Sequence, residues 1–176
     1  MLAPTMGLAA SVVERTGSRP RVTYRWDPET DILTGAVKGA DKPKDDNGLN
    51  GSVELEGSDG SFILLDVAGG AIRGVEVVVW PDVRTVGALQ APASWKDADV
   101  VLPGKSGQVA AIEVETPLTI DTNPAESVFR VRIGPSRATQ VLRVAEGLLV
   151  EVDEQRELAA LWLVDVPPFP ADEPAL

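Results

Sequence analysis

Apolar residues recur along this 176-residue chain in short blocks, with a period close to two. Such alternation is typical of strands that bury one face, whereas a helix would repeat every three to four residues. Turn formers such as Asp27-Pro28, Gly69-Gly70 and Gly134-Pro135 separate the blocks. The pattern therefore predicts a mainly-β fold with little helix. The blocks are 22–26, 32–37, 62–67, 72–80, 109–114, 118–120, 128–133, 141–144, 148–152 and 158–166.

Local features refine this prediction. Gly69-Gly70 fits a two-residue hairpin, because a primed turn needs positive φ at its central residues. Residues 153–163 carry Leu158, Leu161 and Trp162 at helical spacing, but we interpret them as part of a hairpin. The mildly apolar residues 1–13 predict a terminal arm or a first strand.

The second half of the chain repeats the first. The aligned segments are 22–37 with 118–133, 63–67 with 148–152, and 72–81 with 158–167. This alignment places Pro28 on Pro124 and Pro81 on Pro167, and it keeps the turns in the same order. Chance similarity between two β meanders would not preserve the prolines, so the sequence favours a duplication.

The repeat divides the chain into five predicted segments. They are an N-terminal arm (1–19), β unit 1 (20–83), a linker with an irregular segment and a strand (84–115), β unit 2 (116–168), and an acidic proline-rich tail (169–176). Each unit is too short to bury a sufficient core by itself. We therefore expect two similar antiparallel β-meander units that share one core, as a pseudo-twofold sandwich or a flattened barrel.

The first unit also resembles a known family. Its residues 26–33 read Trp-Asp-Pro-Glu-Thr-Asp-Ile-Leu, and Ile-Leu-Leu-Asp-Val at 63–67 leads through Gly70 to Gly-Val-Glu-Val at 74–77. This pattern resembles the small bacterial domain of unknown function numbered 2283, in tandem copy. The chain departs from it by an insert at 38–59 and by Thr34-Gly35 where the family has a tyrosine, and unit 2 lacks the acidic turn. The resemblance implies no activity and suggests an interaction protein.

Composition excludes several kinds of chemistry. The chain has 16 basic and 27 acidic side chains, a formal charge of −11, and neither cysteine nor histidine. It therefore has no disulfide, no thiol nucleophile, and neither the usual general base nor the usual transition-metal ligand. We expect no cofactor, no metal and no enzyme activity. The acidity also argues against nucleic-acid binding, which needs a basic surface.

Two further expectations concern location. No apolar run reaches the roughly 18–20 residues of a membrane span, and no basic residue precedes Arg15 as it would in a secretory signal. We therefore expect a cytoplasmic protein that does not bind membranes.

Arginines and tryptophans are the candidate partner-binding residues. Ser127 to Ala145 contains no acidic residue, and strand alternation places Arg130 and Arg132 on one face. With Arg137 and Arg143 they could hold a carboxylate or phosphate, or else pair with acidic side chains across the sheet. Exposed Trp80 and Trp95 could anchor a partner protein. The alternative for all four tryptophans, which include Trp26 and Trp162, is that they fill the sheet ends.

Other features give weaker candidates. The turn carboxylates Asp27, Glu29 and Asp31 could bind a hard cation or cap the turn. Paired carboxylates could act as acid and base or simply point outward from strands; the candidates are Asp66, Glu76 and Glu151. Residues 41–48 predict a solvated loop, and Gly104-Lys105-Ser106 lacks the upstream glycine of a phosphate loop.

These observations favour a non-catalytic β-scaffold protein that binds another protein, of the immunity or antitoxin kind. A charge of −11 would steer such a protein towards a basic partner. One alternative is a structural subunit that self-associates through exposed sheet edges. A second alternative is a hydrolase that uses only carboxylates.

Overall fold

The structure of the protein, a computed structural model, describes residues 7–15, 19–39, 48–104 and 109–170. The regular elements in these ranges are all β-strands. The same ranges hold no helix long and apolar enough to cross a membrane. The strands are β1 (Ser11–Glu14), β2 (Arg21–Trp26), β3 (Leu33–Lys38), β4 (Asn50–Glu56), β5 (Phe62–Ala68), β6 (Ala71–Val79), β7 (Val83–Thr85), β8 (Lys96–Val101), β9 (Val109–Glu115), β10 (Leu118–Thr122), β11 (Val128–Ile133), β12 (Thr139–Ala145), β13 (Leu148–Asp153) and β14 (Leu158–Val164).

The strands form two sheets that enclose one core. One sheet has six strands in the order β2-β3-β6-β5-β4-β9, and the other has eight in the order β1-β8-β12-β13-β14-β11-β10-β7. A single hydrophobic cluster combines Leu55 and Leu65 of the first sheet with Leu142 and Leu161 of the second, all fully buried. The predicted mainly-β sandwich is confirmed. The flattened barrel is wrong, because the described strands form two separate sheets with free ends.

The two predicted units have the same strand order. Unit 1 forms β2-β3-β6-β5-β4 and unit 2 forms β10-β11-β14-β13-β12. Both central hairpins carry a register irregularity at aligned positions, between Asp66 and Val67 in unit 1 and between Glu151 and Val152 in unit 2. A duplicated five-stranded unit would produce this correspondence.

The structure corrects the predicted meander in two ways. Each unit contains a Greek key, because its second strand pairs with its fifth and not with its third. Unit 1 also has a strand, β4, inside the segment 38–59 that the sequence analysis treated as an insert. The predicted two-residue hairpin is confirmed, since Ala68 pairs with Ala71 and both intervening glycines have positive φ.

The linker contributes strands to both sheets. β8 pairs in parallel with β12, and β9 pairs in parallel with β4. β7 lies at one edge of the eight-stranded sheet and β8 lies near the other, so residues 86–95 cross the width of this sheet. We call these residues the crossing segment. β13 and β14 in the middle of this sheet are buried on both faces along nearly their whole length.

Candidate functional site

Arg130, the centre of the predicted basic patch, is held by a buried carboxylate. Its Nε and Nη2 atoms donate to the two oxygens of Glu151 at 3.1 and 3.2 Å. The same carboxylate accepts a hydrogen bond from Trp162 Nε1 at 2.7 Å and another from Thr139 Oγ1 at 2.6 Å. Glu151 is only 4% exposed. The guanidinium therefore belongs to an internal polar network.

Arg132 and Arg84 share the carboxylate of Asp121. Arg84 forms a bidentate salt bridge with it, in which Nε and Nη2 donate to the two carboxylate oxygens at 3.1 and 3.2 Å. Arg132 Nη2 lies 3.9 Å from Oδ2 of the same carboxylate. The Nε of Arg132 is buried and has no hydrogen-bond partner among the described residues. Arg132 is thus weakly paired with Asp121, and about a quarter of its side chain is exposed.

Arg137 and Arg143 are paired as well. Arg137 Nε donates to Asp153 at 2.6 Å, and Arg143 forms a two-point contact with Asp97 at 2.9 and 3.2 Å. Arg137 also donates to the backbone carbonyls of Ile133, Pro135 and Leu158. All four arginines thus have the acidic partners that the alternative interpretation predicted. Their role in binding a partner stays a prediction, without an unpaired charge to support it.

The Arg137–Asp153 pair gives a pH-dependent prediction. Burial raises the pKa of Asp153, but hydrogen bonds from Arg137 and from the backbone amides of Glu157 and Gln155 lower it below 3.8 overall. Protonation of a carboxyl with a lowered folded pKa favours the unfolded state, so its contribution is present above the ordinary pKa and is lost as pH falls through the folded one. We expect Arg137→Gln to lower the free energy of unfolding by about 2 kcal/mol at neutral pH.

Urea unfolding of both proteins in a series from neutral pH down through the lowered pKa of Asp153 tests this expectation. The difference between wild type and Arg137→Gln should shrink in acid, because Asp153 then becomes protonated. A difference that stays constant across this range would contradict the ion pair.

Trp80 lies in an aromatic cluster at one end of the sandwich. Its ring stacks on Trp26 with a centroid separation of 5.6 Å, and Phe129 lies 5.5 Å away. Trp80 Nε1 donates to the carbonyl of Asp31, and Trp26 Nε1 donates to that of Pro167. This arrangement joins the two sheets and agrees with the alternative that tryptophans fill the sheet ends.

Trp95 and Arg143 are two candidate partner-binding residues that the fold brings together. The Arg143 guanidinium carbon lies 3.7 Å from the centroid of the Trp95 ring, which is 38% exposed. Both line a groove of about 490 Å³ between the crossing segment and the β12–β13 turn, which also contains Glu146 and Asp165. Arg21, which also lines the groove, is bound to Glu146 at 3.1 Å. Two of the four charged lining residues, Arg21 and Glu146, are thus paired with each other, and Arg143 is paired with Asp97.

The weaker candidates have structural contacts or lie elsewhere. Asp27 accepts a hydrogen bond from the amide of Glu29 and so caps its turn. Asp66 and Glu76 lie on the neighbouring strands β5 and β6 but are not opposite each other. Within the described ranges, no group of three or more acidic side chains is arranged to hold a metal ion. Most of the predicted loop, 41–47, and Lys105-Ser106 lie outside the described residues.

The strand β9 is an open edge that the sequence analysis did not single out. It is the last strand of the six-stranded sheet and pairs with β4 over seven aligned residues, from Asn50 opposite Val109 to Glu56 opposite Glu115. The other strands that end a described sheet are shorter, and β2 is additionally bonded to the carbonyl of Glu146. Val109 is 85% exposed. Among the described strands, β9 is therefore the longest one at a sheet edge.

The direction of the β9 backbone groups follows from one hydrogen bond. The amide of Thr116 donates to the carbonyl of Glu56, and Glu56 pairs with Glu115. In a parallel ladder the bonded residues alternate. The even-numbered residues of β9 therefore bond to β4, as Ile112 and Val114 do. The odd-numbered residues direct their amides and carbonyls away from the sheet: Val109, Ala111, Glu113 and Glu115.

The outer face beside this edge is acidic. Glu54 pairs with Glu113, and Glu56 pairs with Glu115, which puts like charges on adjacent strands. Such pairs are unfavourable in isolation. The carboxylates found in ion pairs among the described residues are instead Asp97, Asp99, Asp121, Glu146, Glu151 and Asp153. The negative charge of the β4–β9 surface is thus left unneutralised by this part of the chain.

A close approach of backbones allows β9 to reach β4. Gly51 has a φ of 132° and lies opposite Ala110. A Cβ at this position would collide with the carbonyl oxygen of Ala110. The strand signal was present in the sequence, as Glu113 and Glu115 alternate with Ile112 and Val114. The sequence did not show that this strand lies at a sheet edge, because its partner β4 is far away along the chain.

Comparison of the sequence with protein-family models matches no family, and comparison with curated proteins finds no relative. The resemblance to the domain family numbered 2283 therefore stays a prediction.

Proposed function

We propose that this chain is a non-catalytic β-scaffold protein that binds another protein by accepting one of its strands at β9. The observation that carries this proposal is the row of outward-directed backbone groups along Val109–Glu115. An open edge is a ready template for strand addition. The sandwich behind it is held together by one hydrophobic core that joins both sheets.

The charge distribution supports a partner protein over a second copy of this chain. Two copies that pair through β9 would bring together two molecules that each carry a charge of −11. Natural edge strands use such charges to prevent self-pairing. Self-association remains the alternative, and light scattering at micromolar concentration measures it directly.

The engagement of Glu151, one of the three candidate carboxylates, supports a non-catalytic role. Glu151, Asp121 and Asp153 each contact arginine within the eight-stranded sheet. A hydrolase that uses two carboxylates needs both of them free to face a substrate. In the groove, Glu146 is bound by Arg21.

A proline at position 111 tests the proposal. The amide of Ala111 points away from β4, so Ala111→Pro removes a bond to an incoming strand without removing one from the sheet. We expect this variant to lose at least about nine-tenths of partner capture from a lysate of the native host, with a thermal midpoint within about 3 °C of wild type.

The matched control is Ala111→Val, which keeps the amide and favours an extended backbone. It should capture the partner as wild type does. Equal capture by the proline variant would remove β9 from consideration as the binding site.

A further inference from the structure

We propose that the strand accepted at β9 belongs to a basic protein and alternates lysine or arginine with aliphatic residues over about seven positions. This inference rests on the proposed function and specifies its partner. It follows from the side chains on the two faces of β9, one acidic and one aliphatic, and from the number of its residues whose backbone groups point to the open edge.

The side chains of β9 on the outer face of the sheet favour a positively charged partner strand. Glu113 and Glu115 direct their backbone groups to the open side, so residues paired with them would lie on the same face of the extended sheet. Directly opposite side chains are about 5 Å apart at Cβ. A lysine or arginine at each of these positions would therefore contact a glutamate.

The next strand strengthens this selection. On the neighbouring strand β4, Glu54 lies next to Glu113 and Glu56 lies next to Glu115, on the same face of the sheet. None of these four carboxylates has an ion-pair or hydrogen-bond partner in the described part of the chain. Their summed field would attract a cationic strand and repel an anionic one.

The side chains of β9 that face the core favour aliphatic residues in the partner strand. Val114 is 8% exposed, and Ile112 packs against the core from the same face. Alternate residues of an added strand would lie beside them and extend the apolar layer. Burial of such side chains is favourable by about 25 cal/mol per Å².

The length of the added strand is limited at one end. Pro117 has no amide to donate, and its carbonyl already accepts a hydrogen bond from Gly134. The free ladder therefore ends at Glu115. It can begin at Val109, the first residue of β9. An added segment of about seven residues would occupy this edge fully.

Three capped heptapeptides provide the probes, and NMR titration of the full chain provides the measurement. One alternates lysine with valine, one threonine with valine, and one glutamate with valine. We expect the lysine peptide to bind at least about tenfold more tightly than the threonine peptide, and the glutamate peptide to bind more weakly still. Binding of the lysine peptide should be lost in Ala111→Pro and retained in Ala111→Val.

A charge reversal separates local contacts from net charge. Glu113→Lys combined with Glu115→Lys should invert the preference, so that the glutamate peptide binds best. The control combines Glu29→Lys with Glu154→Lys, which changes the net charge equally at exposed turn positions. It should keep the preference of wild type. Inversion by both double variants would show that only net charge matters and would overturn the inference.

The other outcomes separate the inference from the proposed function. Equal binding of all three peptides, abolished by Ala111→Pro, would leave β9 as a strand acceptor and overturn its basic specificity. Lysine-peptide binding that survives Ala111→Pro would overturn both. If none of the three peptides binds, both are overturned, and the glutamates serve only to prevent self-pairing.

Discussion

Replacing Glu151 by alanine is expected to lower the free energy of unfolding by about 4 kcal/mol. This carboxylate accepts four hydrogen bonds, two of them from Arg130 and one each from Trp162 and Thr139. Without it, the buried indole N–H of Trp162 has no acceptor and Arg130 loses its counter-charge. Unpaired polar groups of this kind are costly because they have already lost their water.

Urea denaturation followed by tryptophan fluorescence measures this loss. Glu151→Gln should have an intermediate effect, because the amide oxygen can still accept a hydrogen bond while the ion pair is gone. The control is Glu154→Ala in the adjacent exposed turn, which should change stability by less than about 0.5 kcal/mol. A loss below about 1 kcal/mol for Glu151→Ala would contradict the network.

The second large effect concerns the shared core. Leu65 in unit 1 and Leu161 in unit 2 are both completely buried. We expect Leu65→Ala and Leu161→Ala each to lower the free energy of unfolding by about 3 kcal/mol, because each leaves a cavity. Since both leucines belong to one cluster, each variant should unfold the whole chain in one transition.

Coincident urea transitions by fluorescence and by circular dichroism would support this expectation. Val109→Ala is the control, because Val109 is 85% exposed and contributes little to the core. Two separate transitions in either leucine variant would mean that the units fold independently. The sandwich would then be held by a weaker interface than the one described.

Local pattern in the sequence was sufficient for much of this fold. Alternation located strands such as β5 and β11, and two adjacent glycines located the hairpin between β5 and β6. Both signals arise within a few residues, where the strand period and the preference of glycine for positive φ act directly.

Long-range pairing was the part that the pattern did not contain. β4 carries only two buried aliphatic residues, Val53 and Leu55, in a polar segment. Contacts between residues far apart in sequence determine the Greek-key order and the path of the crossing segment. They also determine the parallel pairing of β8 with β12 and of β9 with β4. Alternation specifies which face of a strand is buried, but it does not specify its neighbour.

The candidate site illustrates the same limit. Alternation correctly placed Arg130 and Arg132 on one face of β11. Their charges are nevertheless neutralised, because Glu151 and Asp121 come from other strands. The acidic surface arises in the same way, since Glu54 and Glu113 become neighbours only when β9 joins β4.

Amide hydrogen exchange along β9 tests the central claim most directly. In the free protein, the account predicts slow exchange at Ile112 and Val114, which bond to β4, and fast exchange at Ala111 and Glu113, which point outward. Addition of the lysine–valine peptide should protect Ala111 and Glu113 and leave Ile112 and Val114 unchanged. Equal protection of all four amides in the free protein would contradict the account, because the edge would already be occupied.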